Sequence, residues 1–261
     1  MTDFPINQLD NWQIGELENW RIGEFLYRGD ILDFIIEGIR KAFQLIFTLD
    51  SEIFSIVLLS LRVSLTAVIL ASLLGVYLGF LMAVKDYWGK RFSVSLVNTL
   101  LALPTVVIGL IVYSLISRRG PLGIFGLLYT PSAMIIGQFI LAIPIIIALT
   151  HSAVQGIDKR VRNTALTLGA TEAQSAWMVI KEARYAVLAA VITGFGRVIA
   201  EVGAAMMLGG NIKGSTRVMT TAITLETTKG EFGFAIALGI ILLFVAFSIN
   251  ILLHYFQGKR V

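Results

Sequence analysis

The chain has 261 residues, of which 56% are hydrophobic and 15% are charged. Soluble domains carry roughly 45–50% apolar and about 25% charged residues, so this composition indicates a polytopic membrane protein. The absence of cysteine excludes disulfides and thiolate metal sites, and the two histidines, His151 and His254, have no partners at metal-ligand spacing. The net charge of +4 is explained by membrane topology, because no soluble segment carries a basic excess that would bind nucleic acid.

The first 29 residues contain a short repeat, in which residues 11–16 (NWQIGE) return as residues 19–24 (NWRIGE). Two copies are too few for a solenoid, and no apolar core follows a basic segment as it would in a signal peptide. We therefore expect residues 1–29 to form a low-complexity, disordered tail. A start codon placed too far upstream would produce the same pattern.

Residues 30–50 are amphipathic, with apolar side chains at helical spacing opposite Asp33, Glu37, Arg40 and Lys41. The segment is too charged to cross a bilayer, and the pattern favours a helix lying in the membrane interface. A helix packed on the protein's own surface fits the pattern equally well.

Five apolar segments that follow are long enough to cross a bilayer, which takes roughly 20 residues. Gly75 and Gly79 form a GxxxG pair in the first, which permits close helix approach. Pro104 and Pro144 are predicted to kink the second and third, and two kinked helices can splay around a pathway. The expected fold is therefore all-α, with about five transmembrane helices, at residues 53–84, 92–116, 132–153, 187–208 and 232–255.

Basic residues in the loops predict the orientation of these helices. With five spans, loops 85–91 and 158–184 and the C-terminus share one side of the membrane, and together they carry ten Lys and Arg residues. We expect that side to be cytoplasmic, with the N-terminus outside and the C-terminus inside the cell. The expected location is the plasma (inner) membrane.

Loop 158–184 is predicted to form a short helix that ends at Gly169, a residue type that commonly follows a helix C-terminus, and a second helix that runs toward the next membrane span. Asp158 is a candidate cap for the first helix, and Thr171 with Gln174 has the capping-box spacing that starts the second. The first helix should place Val161, Ala165 and Leu168 on one face. Such a knob, with a tip of small residues, fits a groove of a soluble partner, although an ordinary cytoplasmic loop has the same pattern. The tip residues are Thr164, Ala165, Gly169 and Ala170.

Arg197 and Glu201 are four residues apart inside the fourth predicted span, which places them on one helical face. An isolated charge at mid-membrane costs at least about 2.5–3.5 kcal/mol, so a mutual pair is the expected arrangement. The pair has two readings that the sequence leaves open: a gate or subunit-interface element, or a structural ion pair.

No catalytic set is present in the sequence. The GxxxxGK[ST] phosphate loop is missing, so the chain should not bind ATP by that motif, and neither HExxH nor a Ser-His-Asp spacing occurs. Two rival classes are an intramembrane hydrolase using His151 or His254 with a serine, and a passive channel.

Loop 158–184 resembles the EAA loop of permease subunits in ABC importers. Asn163, Thr164 and Ala165 stand where that family has Glu-Ala-Ala, Gly169 falls at the family's glycine, and Val179 takes an isoleucine position. The loop departs from the pattern at Asn163 and at residues 181–182 (KE), which replace Leu-Pro. The resemblance implies that this loop is the coupling helix for an ATP-binding subunit, through Asn163, Thr164, Ala165, Leu168, Gly169, Ala170 and Thr171.

The resemblance covers about residues 53–257. Within it, three further segments are similar to the tungstate-type branch of oxyanion importers, whose relatives carry molybdate and sulfate. They are residues 98–110 (NTLLALPTVVIGL), 119–123 (RGPLG) and 194–212 (GFGRVIAEVGAAMMLGGNI). The ending of the coupling loop at residues 181–184 (KEAR) favours tungstate within this branch.

The resemblance implies the type I ABC importer permease fold and import by alternating access. It also implies a homodimer of this chain, two ATP-binding subunits that hold ATP and Mg, and an external substrate-binding protein. Candidate donors to an oxyanion are Thr105, Ser114, Thr193, Asn211 and the main-chain amides near Gly209 and Gly210, and Pro104 is a further candidate residue of the pathway.

Overall fold

A computed structural model describes residues 50–257 and separate positions between 36 and 48. The predicted tail at residues 1–29 lies outside the described residues. Within predicted helix 30–50, described positions 36, 39–40, 43–45 and 47 are helical, and placement in the membrane interface stays a prediction.

The described residues fold into helices, with no strand among them. A single 3-10 turn, Gly123–Phe125, lies between the third and fourth helices. The α-helices are α1 (Ser51–Val84), α2 (Lys90–Leu101), α3 (Thr105–Ile116), α4 (Pro131–Gln155), α5 (Lys159–Thr167), α6 (Glu172–Ile199), α7 (Gly203–Gly209), α8 (Met219–Thr228) and α9 (Phe232–Gln257).

Among the described residues, three helices are long and apolar enough to cross a membrane: α1, α4 and the segment Phe232–Ile249 of α9. Two further spans are possible as bent pairs, α2 with α3 at 98° and α6 with α7 at 61°. The all-α fold is confirmed, and the expected five spans are reached when each bent pair crosses as one.

Pro104 does more than kink the second span. Helix α2 ends at Leu101, and Pro104 stands in extended backbone as the N-cap of α3. Proline lacks the N–H that would continue α2, and it disfavours helical backbone at Leu103, so the chain turns before it restarts. Pro144, in contrast, lies inside the continuous helix α4.

The centre of the fold is the contact between α1 and α4. A Cβ added to Gly75 would lie 2.9 Å from Ile146 Cγ2, and one added to Gly79 would lie 2.7 Å from the Ile147 carbonyl oxygen. The GxxxG pair therefore brings the two backbones together as predicted, and any larger side chain at either glycine would push the helices apart.

Residues 209–231, which the sequence indicates as a polar connection, contain helix α8. An ion network ties this region to the start of α1. Glu52 contacts Lys213 at 2.6 Å and Arg217 at 3.5 Å, and Glu226 contacts Lys229 at 2.9 Å and Arg217 at 3.8 Å. The Arg217 side chain is only 11% exposed, so it bridges two carboxylates in a largely buried position.

Candidate coupling surface and intramembrane site

Loop 158–184 folds as two helices with a glycine turn between them. The Asp158 carboxylate accepts a hydrogen bond from Arg160 N at 2.8 Å and caps α5. Gly169 follows the helix with φ +89°, a conformation that favours glycine. Thr171 Oγ1 accepts from Gln174 N at 3.3 Å, and Gln174 Oε1 accepts from Thr171 N at 2.8 Å. The predicted caps and hinge are confirmed.

The two helices of the knob are braced against each other. Arg162 Nη2 lies 2.7 Å from Glu172 Oε2, and Ser175 Oγ donates to the Arg162 carbonyl at 3.3 Å. Ser175 is fully buried. These contacts link α5 to the first turn of α6, so the knob and the long helix behind it form one unit.

The predicted face of α5 is correct for Val161 and Ala165 and wrong for Leu168. Val161 packs against the apolar cluster that includes Val179, and Ala165 is 2% exposed. Leu168 is 82% exposed. Helix α5 ends at Thr167, so Leu168 lies in the turn before Gly169 and its side chain points outward.

The tip of the knob therefore differs from the expected set of small residues. Ala165 is buried inside the knob, whereas Asn163, Thr164, Leu168 and Gly169 are exposed. The tip therefore presents one large apolar side chain, that of Leu168, among exposed polar residues. The sequence signal for it is the position of Leu168 directly before the glycine that ends the helix.

Arg197 and Glu201 meet at the break between α6 and α7. Arg197 Nη1 lies 3.5 Å from Glu201 Oε2. The prediction of one shared helical face is wrong in its geometry, because α6 ends at Ile199 and Glu201 lies beyond it. Glu201 Oε1 accepts from Ala204 N at 3.1 Å, and its carbonyl accepts from Thr220 Oγ1 at 2.8 Å.

The two members of this pair have unequal surroundings. The Glu201 side chain is 4% exposed, whereas that of Arg197 is 52% exposed. Glu201 is therefore a buried residue that bonds the first turn of α7 through its carboxylate and the first turn of α8 through its carbonyl. The guanidinium of Arg197 is partly exposed next to this carboxylate.

Thr105 is the predicted pathway residue that the structure brings to this pair. Thr105, Arg197 and Glu201 line one small cavity, together with apolar side chains from α2, α4 and the break at Pro104. A Cβ added to Gly203 would lie 2.8 Å from the Val106 side chain and 3.6 Å from Thr105 Oγ1. The breaks in the second and fourth spans thus touch each other, and Pro104 places Thr105 at that contact.

The remaining predicted pathway residues lie elsewhere. Thr193 is exposed on α6, and its hydroxyl donates to the Ala189 carbonyl at 2.8 Å. Asn211 binds Thr221 through both ends of its amide, at 3.2 and 2.9 Å. The polar groups of the turn after α7 are used to hold that turn, so a pathway role stays a prediction for Thr193, Gly209, Gly210 and Asn211.

A polar cleft between α2 and α4 was not anticipated from the sequence. It has a volume of about 640 Å³ and lies toward the end of α4 that adjoins the coupling loop. No described residue of α2 is buried, so this helix exposes its polar side chains along its length. The lining residues include Lys90, Arg91, Ser95, Asn98, His151 and Gln155.

The hydrolase alternative finds no support at His151. Its Nε2 atom is buried and has no hydrogen-bond partner among the described residues, and no serine hydroxyl within that part of the chain is bonded to the ring. Within residues 50–257 no cluster of three His, Cys, Asp or Glu residues could hold a metal ion.

A double-mutant cycle on the pair at the break should show coupling. Arg197→Gln leaves a buried carboxylate without its partner, whereas Glu201→Gln leaves a half-exposed guanidinium, so the first should lower stability more. Removing one partner of a pair costs about 3–5 kcal/mol in soluble cores, and we expect less here because Arg197 is half exposed. The double variant should recover part of the loss in thermal stability. Losses that simply add would show that the residues act separately and would make Arg197 a candidate for direct oxyanion contact.

Three comparisons place this geometry among known proteins. The family model for the binding-protein-dependent transport system inner membrane component matches residues 71–260. The tungstate uptake system permease protein TupB of Campylobacter jejuni is 44% identical over 85% of this chain and 93% of that protein. The molybdenum transport system permease protein ModB of Haemophilus influenzae is 29% identical over 63% of this chain and 76% of that protein.

Solved structures agree with the fold. The structure of a bacterial alginate ABC transporter in complex with an alginate pentasaccharide-bound periplasmic protein matches with a TM-score of 0.66 and 16% identity. The match covers 97% of this chain and 96% of the matched chain. At that identity the likeness concerns the fold alone. The family match covers most of the chain, and the chain belongs to the binding-protein-dependent transport system inner membrane components.

Proposed function

We propose that this chain is the membrane-spanning permease subunit of an ATP-driven importer that brings an oxyanion into the cytoplasm, with tungstate as the first candidate. The observation that carries the proposal is the braced two-helix knob with Leu168 and Gly169 exposed at its tip. The tungstate relative matches at higher identity and over more of the chain than the molybdenum relative, which supports tungstate. Molybdate and sulfate are the second candidates for the same machinery.

The working assembly would contain two copies of this chain, two ATP-binding subunits and an external substrate-binding protein. ATP and Mg belong to the ATP-binding subunits, because this sequence has no phosphate-loop motif. The lack of any buried residue in α2 supports a second copy, since that helix buries no side chain within its own chain.

The path for coupling is a single helix. Helix α6 has 28 residues, which makes it about 42 Å long, and it begins in the knob and ends at the break beside Arg197. Because Arg162 and Ser175 fasten α5 to its first turns, a displacement of the knob by the ATP-binding subunits would be carried along α6 to Glu201. There it would move the contact between the two breaks and so the cavity at Thr105.

The proposal is tested by uptake. Cells that lack other oxyanion importers and express this chain with its ATP-binding subunit and binding protein should accumulate tungsten, measured by elemental mass spectrometry. Molybdate and sulfate at equal concentration should be taken up more slowly. Omitting the ATP-binding subunit is the control, and tungsten accumulation that persists without it would contradict the proposal and favour a passive channel.

The membrane orientation gives a separate prediction. Reporter fusions after Lys90, Leu122, Gly169 and Lys213 should read inside, outside, inside and outside, because basic residues are concentrated in the first and third of these loops. The C-terminus should also read inside. An outside signal at Gly169 would contradict the coupling role, since no cytoplasmic ATPase could reach the loop.

A further inference from the structure

A second polar cleft lies at the opposite end of α4 from the coupling loop. It has a volume of about 510 Å³ and is formed by the end of α3 and the connection to α4. Under the proposed orientation, it opens to the outside. The polar residues that line it are Tyr113, Ser117, Arg118, Arg119 and Tyr129.

The connection that carries the two arginines is tightly folded. Gly120 N donates to the Ser117 carbonyl at 2.8 Å, and Leu122 N donates to the Leu115 carbonyl at 2.9 Å. A Cβ added to Gly120 would overlap the carbonyl oxygens of Ser114 and Leu115. The backbone beneath Arg118 and Arg119 is therefore held against the end of α3.

Tyr129 forms the far wall in an unusual conformation. Its φ of +62° lies in the left-handed region, which is rarely adopted by bulky residues. Two contacts hold it there: Tyr129 N donates to the Leu208 carbonyl at 2.9 Å, and its ring lies 2.8 Å from where a Cβ of Gly210 would be. Strain of this kind persists only where surrounding contacts determine it, and it clusters at functional sites.

The cleft is rich in hydrogen-bond donors. Within the described part of the chain, neither arginine makes an ion pair and no carboxylate lines the cleft. A hydrogen bond with the Tyr113 hydroxyl raises the pKa of Tyr129 above its usual value, so the Tyr129 phenol stays protonated at neutral pH. Guanidinium groups and hydroxyls are the groups that bind tetrahedral oxyanions, through charge and multiple N–H and O–H donors.

We propose that this cleft is an outer binding site for the oxyanion, in which the guanidinium groups of Arg118 and Arg119 hold the anion beside the Tyr129 hydroxyl. The inference rests on the proposed function, because it takes the oxyanion and the orientation from there. Tyr129 contacts Leu208 and Gly210 at the C-terminal end of α7, and α7 begins at the break beside Glu201. An anion bound in the cleft would thus act through Tyr129 and α7 on the break between α6 and α7. A displacement of the knob would act on the same break through α6.

The test measures tungstate binding to the full chain in lipid nanodiscs, by equilibrium dialysis and elemental mass spectrometry. The wild-type chain should bind tungstate saturably, and Arg118→Gln/Arg119→Gln should weaken binding at least tenfold. Arg118→Lys/Arg119→Lys should lose less because the charge is kept, and Tyr129→Phe should lose severalfold. Lys85→Gln is the matched control for a single charge, since Lys85 is exposed at the other end of the fold, and it should bind as the wild type does.

Each other outcome overturns the proposal. If the arginine double variant binds tungstate with unchanged affinity, or the wild-type chain shows no saturable binding, the cleft is not an oxyanion site. If the double variant binds normally but uptake with the binding protein fails, the arginines dock that protein instead. Wild-type uptake of tungstate, measured alongside, shows whether the importer function stands when the cleft proposal fails.

Discussion

Replacing Gly169 with tryptophan is expected to abolish substrate-stimulated ATP hydrolysis in the assembled transporter while leaving membrane insertion intact. Gly169 has φ +89°, and a Cβ there meets no atom within 4 Å in this chain. The large side chain would therefore not clash inside the protein, but it would stand in the surface beside Leu168 that we assign to the ATP-binding subunit. Left-handed backbone adds about 1–2 kcal/mol of local strain for a residue with a Cβ.

Two variants separate strain from docking. Gly230→Trp carries the same kind of strain, because Gly230 has φ +82° and open space around it, but it lies at the end of the fold opposite the knob. It should retain coupling. Gly169→Asn, which tolerates left-handed backbone with a small side chain, should retain most of it. Normal stimulation in Gly169→Trp, or an equal loss in Gly230→Trp, would remove the argument for a dock.

Replacing Arg217 with methionine is expected to lower the stability of the chain. The change leaves Glu52 and Glu226 facing a largely buried position without the guanidinium that lies between them. Removing one partner of a buried ion pair costs about 3–5 kcal/mol, and we expect less here because Lys213 and Lys229 still contact the two carboxylates. Thermal unfolding of the purified chain in detergent should show a clearly lowered midpoint.

The matched controls are Lys213→Met and Lys229→Met. Each lysine contacts one of the same two carboxylates, but both lysines are about half exposed or more, and exposed pairs contribute about 0–1 kcal/mol. Their midpoints should stay close to that of the wild type. Equal losses in all three variants would show that burial of Arg217 is not what makes it important.

Local features of this fold follow from the sequence. The Asp158 cap, the Thr171–Gln174 capping box and the turn at Gly169 depend on residues within three positions of each other. The GxxxG contact of α1 is local in the same sense, because small residues on one helical face permit close packing with whichever helix comes next.

Features that depend on distant residues could not be predicted. Glu52 and Arg217 are 165 positions apart, and no pattern in either segment predicts that the two side chains are in contact. Proline at position 104 predicts a disturbance, but the 98° turn depends on where α3 packs.

The close contact of α1 with α4 limits how the protein can change shape. A Cβ added to Gly79 would lie 2.7 Å from the Ile147 carbonyl oxygen, so the backbones of α1 and α4 are in direct contact there. We therefore expect α1 and α4 to move together during a conformational cycle, with hinges at the short non-helical links at residues 102–104 and 200–202. In this fold a conformational change would rotate helices about these two links and would not bend a long helix.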